Sequence, residues 1–115
     1  MYWATTTWRV TETTPELTEA IGAWKAHCDA HHPQITGIRC YRYNGGTSYV
    51  WQEGFEDFHR YQELIEAEDA SCAVVQKAVF QHAVPGSREG RIWGAVFYVK
   101  VPPLRRNRKG PGTLM

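Results

Sequence analysis

Apolar positions change their spacing several times along this chain, and the changes mark its elements. Tyr2 to Val10 is rich in Thr and aromatics with no helical period, and is predicted as a first strand. Tyr2, Ala4, Thr6, Trp8 and Val10 would share one face, and Trp3, Thr5, Thr7 and Arg9 the other. Neither face is plainly solvent-like, which points to a sheet covered on both sides. Leu17, Ile21, Trp24, Cys28 and His31 then recur at helical spacing, with Glu19, Lys25 and Asp29 off the stripe. Thr13 and Thr14 offer capping hydroxyls ahead of Pro15, Thr13 with Glu16 fits a capping box, and Pro33 stops the helix.

The next stretch reads as two short strands, Gly37 to Tyr43 and Ser48 to Glu53, flanking Asn44-Gly45-Gly46, a tight-hairpin signal. Past Gly54 the period becomes helical: Phe55, Phe58, Tyr61, Leu64 and Ile65, then Cys72, Val75, Val79 and His82. Asp57 or Glu56 opens this helix, with Phe55 as a hydrophobic staple, and Asp69 or Ser71 caps a second segment reaching about Ala83. Pro85 to Gly90 reads as a loop and Ile92 to Val101 as a fourth strand. The order β-α-β-β-α-β predicts an α+β, ferredoxin-like antiparallel sheet with helices on one face. Strands 1 and 4 are apolar on both sides, so a second copy of the sheet is the simplest cover and a homodimer is predicted. One domain over residues 1–101 is followed by a flexible basic tail over 102–115.

Composition adds three constraints. Five Trp, six Tyr and four Phe among 115 residues are many, so aromatic area must be buried, line a pocket or fill an interface. Net charge is +1, yet four of the thirteen basic residues are Arg105, Arg106, Arg108 and Lys109, leaving nine against twelve acidic ones elsewhere. That excludes a basic nucleic-acid-binding face on the folded part. The three cysteines Cys28, Cys40 and Cys72 have no metal-type spacing, and Cys28 and Cys72 fall on inward helix faces as small hydrophobes. Without a leader-like start or an apolar run of about 20 residues, a soluble cytoplasmic protein is predicted, with no membrane partner.

The run Tyr49-Val50-Trp51-Gln52-Glu53-Gly54-Phe55-Glu56-Asp57-Phe58-His59-Arg60-Tyr61 resembles a recurring segment of the dimeric α+β barrel superfamily. It matches that group's third strand, acidic helix start and aromatic-x-x-aromatic first turn. The group includes the antibiotic-biosynthesis monooxygenases, the stress-responsive A/B barrel proteins and small polyketide cyclases. The resemblance covers roughly residues 1–101 through element order and length. It implies a cavity between helices and sheet for a small hydrophobic, aromatic or polyketide-like ligand. It also implies cofactor-independent monooxygenase or cyclase chemistry, the alternative being a non-catalytic ligand-binding or stress-associated interaction protein. Members commonly place a His in the break between helix segments; Glu68 to Ala73 contains none, so no haem chemistry is implied.

Candidate chemistry follows from these positions. His82, on the inward side of its helix, could move a proton beside a phenol such as Tyr61, against the plainer reading of a backbone-bonded core histidine. Trp24, Trp51, Tyr61 and Tyr41 offer an aromatic wall for a flat ligand, with Arg39 or Arg9 to hold an enolate or carboxylate; core and dimer packing is the competing use. Thr5 and Thr7, on a central strand, either bond locally or donate to a ligand, and His31 could point into the cavity. His82, Tyr61 and Arg39 are therefore the catalytic expectation, and Trp24, His31, Tyr41, Trp51, Thr5 and Thr7 the substrate-binding one. His27, Cys28, His31 and His32 are the densest group of potential ligands. His27 with His31 has the i, i+4 spacing of a zinc pair, but no third ligand is obvious nearby in sequence. Histidines favoured by the helix C-terminal dipole are the plainer reading, so no metal and no cofactor are predicted.

Overall fold

The computed structural model describes residues 1–67 and 69–94. Its elements are β1 (Tyr2–Arg9), α1 (Pro15–His31), β2 (Gly37–Tyr43), β3 (Ser48–Phe55), α2 (Phe58–Glu66), α3 (Ala70–Phe80) and β4 (Glu89–Gly94). The four strands form one antiparallel sheet in the order β2-β3-β1-β4. This is the predicted ferredoxin-like arrangement. The later part of the expected fourth strand and the basic tail lie outside the described residues.

Side-chain chemistry sets the element ends. Thr14, not Thr13, is the α1 cap: its hydroxyl accepts from the Leu17 N–H at 3.2 Å, and Pro15 follows. Thr13 is used otherwise. It donates to the Gly46 carbonyl at 2.9 Å and meets the Tyr49 hydroxyl at 3.1 Å, tying the helix entry to the β2–β3 hairpin. Asn44, Gly45 and Gly46 all take positive φ in that hairpin, a conformation Asn and Gly adopt at least cost. Asp57 caps α2 and Asp69 caps α3, each accepting from the N–H three residues on. Phe55 stacks on Tyr61 with centroids 3.9 Å apart and clamps the start of α2.

β4 begins at Glu89, three residues before the expected start, so Glu89 and Gly90 are strand and not loop. They pair with Thr7 and Thr6 and so satisfy the outer edge of β1, a gain that outweighs the weak strand propensity of Gly.

The helices cover one sheet face. Trp8, Leu17, Trp24, Cys28, Tyr49, Trp51 and Val79 form the core between them. The register places Trp3, Thr5, Thr7, Arg39, Tyr41, Tyr43, Gln52 and Trp93 on the opposite face. There Trp3 stacks on Trp93, Arg39 lies over the Trp3 ring, and Tyr41, Tyr43 and Trp93 are exposed. Among the described residues, no helix is long and apolar enough to cross a membrane.

Candidate functional site

The strand alternation that buries Trp51 and Phe55 also turns Glu53 toward the helices. A carboxylate in that position needs partners, and it has two. Tyr61 donates its hydroxyl to Glu53 Oε1 at 2.7 Å, and the Trp51 indole N–H donates to Oε2 at 2.8 Å. Both Glu53 and Tyr61 are buried. Burial first, then the Glu53 charge and the hydrogen bond to it, push the Tyr61 phenol far above its ordinary value. Tyr61 is therefore a neutral hydrogen-bond donor and not a phenolate.

A cavity of about 360 Å³ opens beside this pair, between the sheet and the helices. Thr6 and Glu53 form part of its sheet wall, and Trp24, Tyr61 and Cys72 part of its helix wall. Trp24 lies parallel to Trp51 with centroids 3.6 Å apart, so the two indoles make a rigid base behind the cavity. The buried Trp24 N–H has no hydrogen-bond partner among the described residues. Arg88 also reaches the cavity, with its guanidinium 3.8 Å from the Phe80 ring centroid. The result is a flat aromatic floor, a buried carboxylate, a phenol donor and a cation around one space.

A second polar group borders it. Asp69 Oδ1 accepts the Cys72 N–H at 3.0 Å, while Oδ2 lies 2.8 Å from both His27 Nε2 and His32 Nε2. A carboxylate only accepts, so both imidazoles carry their proton on Nε2. These two hydrogen bonds hold the Asp69 carboxyl well below the usual carboxylate range. Burial, then the Asp69 and Glu53 charges, raise the Cys72 thiol, and burial foremost pushes the Cys28 thiol up to about 12. Both cysteines are accordingly thiols, as expected of small hydrophobes.

The predicted residues separate into four places. Trp24 and Tyr61 line the cavity, and Trp51 stacks behind Trp24 without reaching it. Arg39, Tyr41, Thr5 and Thr7 sit on the opposite sheet face, where Arg39 donates to the Tyr41 hydroxyl at 3.1 Å and Trp93 donates to Thr5 at 3.2 Å. His82 follows α3 and faces a shallow depression with Glu16, Glu19 and Ala23, away from Tyr61. His31 is exposed, and His32 takes the inward position because the chain leaves the helix there. The sequence places His32 among the candidate ligands without separating it from His31, and gives no role to Glu53, to Asp69 as a histidine partner, or to Arg88. For Glu53 a signal existed: strict alternation from Trp51 puts a charged residue on an apolar face.

No protein-family model matches the sequence, and no curated protein matches it significantly. Solved structures do. SnoaB, a cofactor-independent oxygenase from Streptomyces nogalater, superposes with a TM-score of 0.69 over 85% of this chain and 95% of its own, at 13% identity. The ActVA-Orf6 monooxygenase of Streptomyces coelicolor, solved with nanaomycin D, gives 0.66 over 88% and 92%, also at 13% identity. A Nitrosomonas europaea protein assigned to the antibiotic-biosynthesis monooxygenase type gives 0.66 over 84% and 100%, at 18% identity. At these identities the likeness is one of architecture, and the chain has the fold of the antibiotic-biosynthesis monooxygenases.

Proposed function

We propose that this chain is a cofactor-independent monooxygenase acting on a flat, phenolic or polyketide-like molecule in the cavity beside Glu53 and Tyr61. The observation that carries the reading is the buried Glu53 carboxylate on the wall of a 360 Å³ cavity floored by Trp24. Such a group can take a proton from an activated carbon, while Arg88 supplies a cation for the enolate oxygen. Tyr61, whose one O–H is given to Glu53, holds that carboxylate in place. For a CH₂ between aromatic or carbonyl groups the steps balance. Loss of one proton to Glu53 leaves a carbanion, which passes an electron to O₂. The resulting radicals join as a C–O–O⁻ peroxide, which takes a proton and loses water to leave C=O. The substrate is oxidised, one oxygen atom enters the product and the other leaves as water.

The test is incubation of the purified protein with anthrone-type substrates under ¹⁸O₂. One labelled oxygen in a quinone product, formed faster than in buffer alone, is the expected result. Binding without turnover would replace this reading with a non-catalytic ligand-binding dimer, which the close Trp24–Trp51 packing also suits. No binding at all would remove the ligand reading.

The same reading includes a homodimer joined through the sheet face that the helices leave open. Trp3 and Trp93 stack there beside exposed Tyr41 and Tyr43, an aromatic surface of the kind that packs sheet on sheet. Sedimentation equilibrium is expected to give twice the chain mass, and Trp93→Asp to shift the protein to monomer. A monomeric wild type at micromolar concentration would overturn the dimer.

A further inference from the structure

His27, His32, Asp69 and Cys72 come from the end of α1 and the start of α3, and their ligand atoms all lie within 4.8 Å of one another. We propose that these four side chains form a zinc site that fastens α1 to the junction before α3. His27 and His31 lack a third ligand in the sequence; the fold changes the partner to His32 and brings two more ligands from about forty residues away. Two imidazoles, one carboxylate and one thiol make a donor set suited to a tetrahedral d¹⁰ ion.

Three features favour an ion over a simple hydrogen-bonded cluster. Both Nε2 atoms converge on one carboxylate oxygen, at 2.8 Å each, and the Cys72 sulfur lies within 4.8 Å of all three, so four donor atoms already surround one small volume. Asp69 is already oriented, because its other oxygen is fixed by the Cys72 N–H at the α3 cap, the supporting shell that ligands need. The two imidazoles are also largely withdrawn from solvent, with side-chain exposures of 11% for His27 and 8% for His32. Ligand atoms around zinc stand about 3.4 Å apart. Reaching that spacing means opening the two 2.8 Å contacts and closing the widest separation from 4.8 Å, movements of about 1 Å, within side-chain reach.

On binding, the proton of each imidazole moves from Nε2 to Nδ1, which frees the Nε2 lone pair for the ion, and the Cys72 thiol loses its proton. The thiol proton passes to solvent. With four protein ligands the site is closed, so its role is structural and its ion redox-inert. The wall of the cavity formed by His32, Asp69 and Cys72 would then be held rigid. The inference stands whether or not the cavity catalyses anything.

The experiment is titration of chelator-treated full-length protein with Zn²⁺, and separately with Co²⁺, followed by calorimetry and absorption. One ion per chain is expected, with proton release and, for Co²⁺, tetrahedral ligand-field bands plus a thiolate charge-transfer band. Cys72→Ser should remove the charge-transfer band, and Asp69→Asn, which retains a good helix cap, should weaken binding at least ~10-fold. Circular dichroism of the metal-free variants is the check that both fold. Absence of stoichiometric binding would overturn the proposal. So would binding that both variants leave unchanged, since the ion would then sit on exposed histidines such as His31 or His59.

Discussion

Trp24→Ala is expected to remove about 3 kcal/mol of stability, at the lower end of the range for a buried aromatic. Trp24 is 2% exposed and central to the packing between α1 and the sheet. Its ring lies parallel to Trp51 at 3.6 Å and receives the edge of Phe80 at 5.5 Å, with Trp8 at 6.5 Å. Alanine would leave a void that these rigid rings cannot close by turning, because each is held by others. One term works the other way. The Trp24 N–H is buried without a partner, so deleting it removes a desolvation cost of about 1–3 kcal/mol. Trp24→Phe separates the two effects, since it keeps a ring against Trp51 and drops the N–H; its cost should stay below ~1.5 kcal/mol. Urea unfolding reads both. With a slope of about 1–3 kcal/mol/M, the alanine midpoint should fall by about 1–3 M and the phenylalanine midpoint far less. An alanine variant within ~0.5 kcal/mol of wild type would show that Trp24 is not central to the core.

The architecture was legible because its signals are periodic and local. Alternation in β1 and β3, the Asn44-Gly45-Gly46 turn and the stripe Leu17, Ile21, Trp24, Cys28 each act within a few residues, and the structure uses all of them. What was not legible depends on partners distant in sequence. Thr13 and Thr14 are equivalent as caps until the hairpin arrives and engages Thr13. His31 and His32 both continue the α1 stripe, and the choice falls to His32 because Asp69 stands opposite it. Asp69 was readable as a cap through one oxygen, but the use of its second oxygen requires the end of α1 to be in place. Arg39 and Tyr61 belong to elements that look adjacent in the chain, yet alternation sends Arg39 through the sheet to the other face. Glu53 was the recoverable miss, a charge on an apolar strand face that the pattern itself displays.

Glu53→Gln is expected to lower turnover of a cavity substrate by about 10²–10⁴-fold, the usual worth of a general base. The substitution nearly preserves volume, so binding should change little while the proton acceptor is lost. It also disturbs the hydrogen bonds in a predictable way. An amide has one acceptor oxygen, whereas Glu53 accepts from both Tyr61 and Trp51. The indole can only donate, so Tyr61 must turn and accept from the new NH₂ group. The phenol then no longer faces a carboxylate, and of the causes that raise its pKa only burial and minor ones remain. That change has its own signature in alkali. The wild-type phenol titrates far above 10.0, its ordinary value, which the unfolded chain retains. The unfolded state therefore releases this proton first, and wild-type stability falls as pH rises past that value, by at most ~1.4 kcal/mol per pH unit. Tyr61→Phe should abolish this component, and Glu53→Gln should narrow the pH window over which it accrues. Unfolding free energies of the three proteins from about pH 8 to 11 would show it, the comparison cancelling the other tyrosines and lysines that titrate there. Loss of turnover in Glu53→Gln with substrate affinity retained assigns the base. A fall of less than tenfold alongside the alkaline change would leave Glu53 as the anchor of Tyr61 and Trp51 alone, and the proton acceptor would have to be sought elsewhere on the cavity wall.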